Sequence, residues 1–100
     1  MINKKVLSLL GIAKKAGNLV GGEFSTEAAI KGNKACMIII ADDASKNTKK
    51  KFTNSCRYYN VPLFFFGEKD TLGHAIGKSY CASIALLDKG LAEAIKNQLE

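Results

Sequence analysis

The stretch Ala35-Cys36-Met37-Ile38-Ile39-Ile40-Ala41 restricts the fold more than any other, because it runs apolar from end to end with no polar residue inside it. A strand with one wet face alternates apolar and polar side chains. A run without alternation belongs to a strand covered on both faces, in a sheet with a layer on either side. The rest of the chain supplies those layers, since helical and strand patterns alternate along it with short connections. The expected fold class is α/β, a three-layer α/β/α sandwich with a central mixed four-stranded sheet.

Asn3 is placed to cap a first helix whose Val6, Leu7, Leu10 and Ala13 form one apolar stripe, and Gly17 ends it. Leu19 and Val20 suit a short edge strand. A second helix is expected from about Phe24 to Lys31, closing at Gly32 or Asn33. After the central strand, Asp43 or Ser45 can cap a third helix in which Phe52, Cys56 and Tyr59 recur on one face. Val61 to Phe66 reads as the next buried strand, with Pro62 near its start. Asp70 or Thr71 opens a short helix closed by Gly77. Cys81 to Leu87 is a further apolar strand, and Asp88 precedes a last helix with Leu91, Ile95 and Leu99 on one side.

At 100 residues, 47% of them hydrophobic and 24% charged, the chain suits one domain over residues 1–100. Its longest apolar run is far below the ~20 residues of a membrane-spanning helix. Lys14 and Lys15 interrupt the apolar stretch after Lys4 and Lys5, and no small-residue cleavage site follows. No membrane partner and a cytoplasmic location are expected. Cys36, Cys56 and Cys81 are widely separated, lack a Cys-x-x-Cys pair and have only His74 as an imidazole companion, so they read as packed thiols and not as metal ligands. Neither a metal nor a cofactor is expected.

Catalytic constellations are scarce. His74 lies beside Leu72, Ala75 and Ile76 on a short helix, which suits a surface residue better than a general base. Asp42 and Asp43 are adjacent, diverge in direction and have no third carboxylate near them, so capping fits them better than metal binding. The expectation is a protein that is not an enzyme.

Net charge is +6 and uneven: residues 1–60 carry +7 and residues 61–100 carry −1. A positive field of this kind attracts polyanions through counterion release. The densest cluster, Lys46, Lys49, Lys50, Lys51 and Arg57, is read either as a solvated helix face or as a phosphate-contacting surface without sequence preference.

Three segments stand out as candidate binding elements. In Gly22-Glu23-Phe24-Ser25-Thr26, preceded by Gly21, paired glycines allow close backbone approach and hydroxyls follow at a helix start, an anion-binding pattern. It lacks the Lys of a P-loop and the third Gly of a dinucleotide fingerprint, and a plain turn with a Ser cap is its structural alternative. Gly77-Lys78-Ser79-Tyr80 brings a cation, a hydroxyl and an aromatic ring to one connection, a mixture suited to stacking and phosphate contact. Asp43 to Lys46 forms a third connection, directly after the central strand.

The order of Gly17, Gly22-Glu23-Phe24-Ser25-Thr26, Ile40-Ala41-Asp42-Asp43-Ala44-Ser45, Asn60-Val61-Pro62, Leu72-Gly73-His74-Ala75-Ile76-Gly77-Lys78 and Leu87-Asp88-Lys89-Gly90 resembles the L7Ae/L30e superfamily of ribosomal proteins over almost the whole chain. The run Asp42-Asp43-Ala44-Ser45-Lys46-Asn47-Thr48-Lys49-Lys50 is most similar to its bacterial YlxQ branch. That resemblance implies a sandwich fold and binding of kink-turn RNA, a bent helix-loop-helix element with tandem sheared G·A pairs. It also implies ribosomal or regulatory RNA as partner, with ribosome association and no DNA. Carried over by residue, the implied RNA-binding positions are Gly22, Glu23, Phe24, Ser25, Thr26 and Ala28 at the second helix. Gly77, Lys78, Ser79, Tyr80 and Cys81 follow in the later loop, and Asp43, Ser45 and Lys46 form a flanking contact. The chain departs from the pattern where archaeal relatives show Asn-Glu and it has Phe24-Ser25, and where they show Lys and it has Ala28. Base readout by those polar side chains is therefore lost or replaced. The alternative reading is a protein-interaction module on the same fold with weak, non-specific RNA binding.

Overall fold

A computed structural model describes residues 3–100. Its elements run α1 (Lys4–Lys15), β1 (Leu19–Gly21), α2 (Glu23–Lys31), β2 (Met37–Ile40), α3 (Lys46–Tyr59), β3 (Leu63–Phe65), α4 (Lys69–Ala75), β4 (Ser83–Leu86) and α5 (Lys89–Leu99). Three helix starts follow directly from short polar side chains that accept orphan backbone N–H groups. Asn3 Oδ1 accepts from Lys5 and Val6 at 3.0 and 3.2 Å. Ser45 Oγ accepts from Thr48 at 3.1 Å, and Asp88 Oδ2 from Leu91 at 2.8 Å.

The strand order is β1-β4-β2-β3. Strand β4 runs antiparallel to both β1 and β2, whereas β2 and β3 are parallel, so the sheet is mixed. The Ile-rich run lies inside it, with Ile38, Ile39 and Ile40 inaccessible to solvent, as the lack of alternation requires. Helices α1, α4 and α5 pack together on one side and α2 with α3 on the other. This is the three-layer α/β/α sandwich with a central mixed four-stranded sheet. The apolar stripe of α1 (Val6, Leu10, Ala13) and that of α3 (Phe52, Cys56) are buried in the core on opposite sides of the sheet.

Three expectations are corrected. Strand β3 is an edge strand and only half-buried, with Phe65 46% exposed, because no strand among the described residues pairs with its outer side. Helix α4 starts at Lys69, ahead of Asp70 and Thr71; Glu68 stands at the cap without capping, and Asp43 Oδ1 accepts from Lys69 N at 2.8 Å instead. Asp43 thus fastens α4 across 26 residues of chain and does not cap α3. Helix α2 starts at Glu23, one residue early, and Ser25 is not its cap.

Of the cysteines, Cys56 and Cys81 are buried and Cys36 is half-buried. Burial, with a smaller push from the Glu27 carboxylate, raises the Cys56 thiol from 9.0 to about 11. The folded chain keeps this proton after the unfolded chain has released it. Its contribution to stability is therefore intact below pH 9 and lost as pH rises to about 11. Urea midpoints measured across that interval should fall more steeply in the natural protein than in Cys56→Ala.

Candidate nucleic-acid interface

The start of α2 has an unusual cap. Gly22 holds φ 104° and ψ 156°, a conformation that residues with a Cβ rarely adopt, and no side chain among the described residues caps the helix. Its own N–H donates to Ser83 O at 2.9 Å, pinning the helix end to the first residue of β4. The first intrahelical bond runs from Thr26 N to Gly22 O at 3.0 Å. The N–H groups of Glu23, Phe24 and Ser25 precede it and project from the positive end of the helix dipole.

A cleft of about 500 Å³ opens at this helix end, lined by Gly22, Glu23, Thr48, Lys78, Tyr80 and the start of β4. Lys78 Nζ donates to Gly21 O at 3.0 Å, which places a cation beside the uncapped helix start. Thr48, in the first turn of α3, accepts at Oγ1 from Ser45 Oγ at 2.9 Å, so the Ser45 cap also orients a hydroxyl of the cleft wall. Three sequence-remote connections therefore converge on one depression beside the helix start, which combines an ammonium group, the Thr48 hydroxyl and the 66%-exposed ring of Tyr80.

The loop bearing Lys78 and Tyr80 is held by backbone. Lys78 N donates to Gly73 O at 2.8 Å and Cys81 N to Lys69 O at 2.9 Å. A Cβ on Gly73 would stand 2.4 Å from Tyr80 Cα and 2.7 Å from its backbone N and C. Only a residue without a side chain admits this approach.

Charge on α3 is divided by its surroundings. Lys51 Nζ lies 3.5 Å from carboxylate oxygens of both Glu23 and Glu27, and Ser55 Oγ donates to Glu27 at 2.9 Å. Lys49 sits 5.7 Å over the Phe65 ring. Lys46, Lys50 and Arg57 are exposed and pair with no carboxylate among the described residues.

A model of the ribosomal protein L7Ae/L30e/S12e/Gadd45 family matches residues 4–96. The chain belongs to that family. RNA-binding protein YlxQ of Enterococcus faecium is 37% identical to it over 97 residues, 97% of this chain and 93% of that protein. RNA-binding protein YlxQ of Bacillus subtilis (strain 168) is 36% identical over 92 residues, 92% of each. A structure of a protein with unknown function from Bacillus halodurans C superposes with a TM-score of 0.90 at 34% identity, covering 95% of this chain and 96% of its own. The 15.5kD RNA binding protein of Giardia lamblia shares the fold, with a TM-score of 0.81 at 22% identity over 97% and 90% of the two chains.

In this L7Ae/L30e/S12e/Gadd45 chain the positions implied by resemblance separate into groups. Gly22, Glu23, Lys78, Tyr80 and Cys81 line the cleft, and Gly77 and Ser79 are exposed in its loop. Phe24, Ser25 and Ala28 are exposed on α2, outside the cleft. Asp43, Ser45 and Lys46 are exposed before and at the start of α3, where Asp43 and Ser45 are already engaged in capping. Two side chains point inward. Thr26 is inaccessible, and its Oγ1 has no hydrogen-bond partner among the described residues. Cys81 is 3% exposed, with Sγ donating to Ser83 O at 3.0 Å. Their side chains support the helix end and loop from beneath and do not present polar groups outward. Gly73, Thr48 and the Glu27–Lys51 pair were not readable as site residues from spacing, since each is defined by a neighbour on another element.

An orphaned buried hydroxyl costs about 1–3 kcal/mol. Thr26→Val, which removes it while keeping the branched shape, is expected to raise stability by about 1 kcal/mol in denaturant titration and to leave ligand affinity at the cleft unchanged. A large affinity loss in the folded variant would return Thr26 to the binding surface.

Proposed function

We propose that this protein binds RNA, specifically a kink-turn with sheared G·A pairs, and stabilises the bend by binding rather than by chemistry. The observation that carries the reading is the uncapped amino end of α2 opening into a cleft with Lys78 and Tyr80, in a chain related to proteins named RNA-binding protein YlxQ. Free N–H donors at a helix start suit phosphate oxygens or base edges, and their use requires no side-chain reader. Tyr80 offers a ring to an unpaired base and Lys78 a charge to the backbone. Lys46, Lys50 and Arg57 add sequence-independent phosphate attraction, which makes affinity salt-dependent. Ribosomal or regulatory RNA in the cytoplasm is the proposed setting, with ribosome association as a consequence of the RNA bound.

Titration against a kink-turn RNA and against the same RNA with its G·A pairs replaced tests this directly. The kink-turn should bind more tightly by at least tenfold at fixed salt. Equal binding to both rejects the specific reading. Weak, equal and steeply salt-dependent binding, together with a protein partner recovered by cross-linking, would identify an interaction module instead.

A further inference from the structure

Phe24 is 87% exposed, the most exposed large hydrophobic side chain among the described residues, although it stands in the first turn of the helix whose end forms the cleft. It recurs with Ala28 and Lys31 at i, i+4 and i+7, so the three form the outward ridge of α2. Two grooves of about 410 Å³ each flank that ridge, and both are bounded by Phe24 and Ala28. One reaches Lys31 and, beyond it, Lys51 with its partners Glu23 and Glu27; the other reaches Lys34. The small Ala28 side chain leaves open the floor that a longer residue would cover. An aromatic face is thus presented above a shallow, partly apolar step, with Lys31 at one groove and Lys34 at the other, and the cleft immediately beyond Glu23.

We infer that Phe24 and Ala28 form a stacking shelf for one unpaired nucleobase of the bound RNA, with Lys31 or Lys34 meeting the adjoining phosphate. This rests on the RNA-binding reading and deepens it, because it assigns recognition at α2 to a ring where a polar reader is absent. Stacking on an aromatic side chain is tolerant of base identity. The shelf therefore contributes affinity for an exposed base and does not select which base it is. The occupant is RNA and not an apolar protein segment, because Lys31 and Lys34 flank the ridge without an ion-pair partner among the described residues, and the groove on the Lys31 side adjoins, at Glu23, the cleft that holds Lys78.

The chain contains no Trp, so Phe24→Trp places a single fluorescent reporter on the shelf. Emission and affinity are measured for the full chain and for Phe24→Trp, Phe24→Leu and Phe24→Ala. The ligands are a kink-turn RNA, the RNA lacking its G·A pairs, the kink-turn RNA with abasic sites at its unpaired positions, and a single-stranded oligonucleotide. Phe24→Ala should bind the kink-turn RNA about 5- to 150-fold more weakly. Phe24→Leu should recover little of that loss, and Phe24→Trp should bind at least as well as the natural protein and be quenched on saturation. The abasic RNA should abolish the difference between Phe24 and its Ala variant. Unchanged RNA affinity in Phe24→Ala, or unquenched Phe24→Trp on RNA that binds, overturns the shelf. So does a protein that binds none of the RNAs, or a Phe24-dependent protein partner with RNA binding untouched. Equal affinity of the natural protein for kink-turn and G·A-less RNA overturns only the kink-turn reading, and Phe24-dependent, quenched binding to both leaves the shelf in place.

Discussion

Gly73→Ala is expected to destabilise the protein by about 3 kcal/mol, lowering Tm by roughly 10–20 °C. In an exposed helix the same exchange would stabilise by up to about 1 kcal/mol, because Ala is the better helix former. Here the added methyl meets backbone and not the end of a flexible side chain, at 2.4 Å from Tyr80 Cα. The conflict can be relieved only if α4 and the Lys78–Cys81 segment move apart. That movement breaks Lys78 N to Gly73 O and Cys81 N to Lys69 O, so the loop wall of the cleft loosens together with the fold. Thermal unfolding measures the first effect. RNA titration of the surviving folded protein at low temperature measures the second, and a loss there is expected as well. A variant with unchanged Tm would show that the close approach is not a fixed part of the structure.

Gly22→Val is expected to separate binding from folding. Its φ of 104° imposes about 1–3 kcal/mol of backbone strain on any residue with a Cβ, more on a β-branched one. Space is not the difficulty, as a Cβ there meets only Lys78 Nζ, at 3.7 Å. The branched methyls would project from the turn toward Lys78 and the cleft mouth. RNA affinity should therefore fall by tenfold or more, while most of the molecule keeps its fold by circular dichroism. If affinity is unchanged in a protein confirmed to be folded, the end of α2 is outside the binding surface.

What could be read from the chain follows the range of the interactions involved. The Ile38–Ile40 run announced a strand buried on both faces because burial leaves its mark at every position. Asn3, Ser45 and Asp88 announced helix starts because each accepts a bond from only two or three residues ahead. Asp43 misled for the opposite reason: it precedes one helix and caps another, and no local pattern carries that information. The apolar Val61–Phe66 stretch looked fully buried, yet whether a strand has a neighbour on both sides is a property of the sheet. Ser25 and Thr26 fit a hydroxyl-bearing helix start by local pattern, but the helix begins at Glu23, which turns Thr26 into the core. The basic cluster of α3 could be counted but not partitioned. Its division depends on Glu23 and Glu27 of a facing helix and on the ring of Phe65 across a loop. Candidate segments of the site were thus legible, whereas the contacts that join them were not.

Gly22 is anchored by Ser83, and β1 by its antiparallel pairing with β4. The two sides of the cleft are therefore far apart in the order of synthesis. Residues 22 and 23 emerge early, but the loop opposite (77–80) and the strand that fixes them (from Ser83) follow only after β2, α3, β3 and α4 have been made. The α3 wall and the Lys78–Tyr80 loop are made earlier, but Gly22 has no acceptor for its N–H until β4 slots between β1 and β2, so this strand both closes the sheet and fixes the helix end against the rest of the cleft.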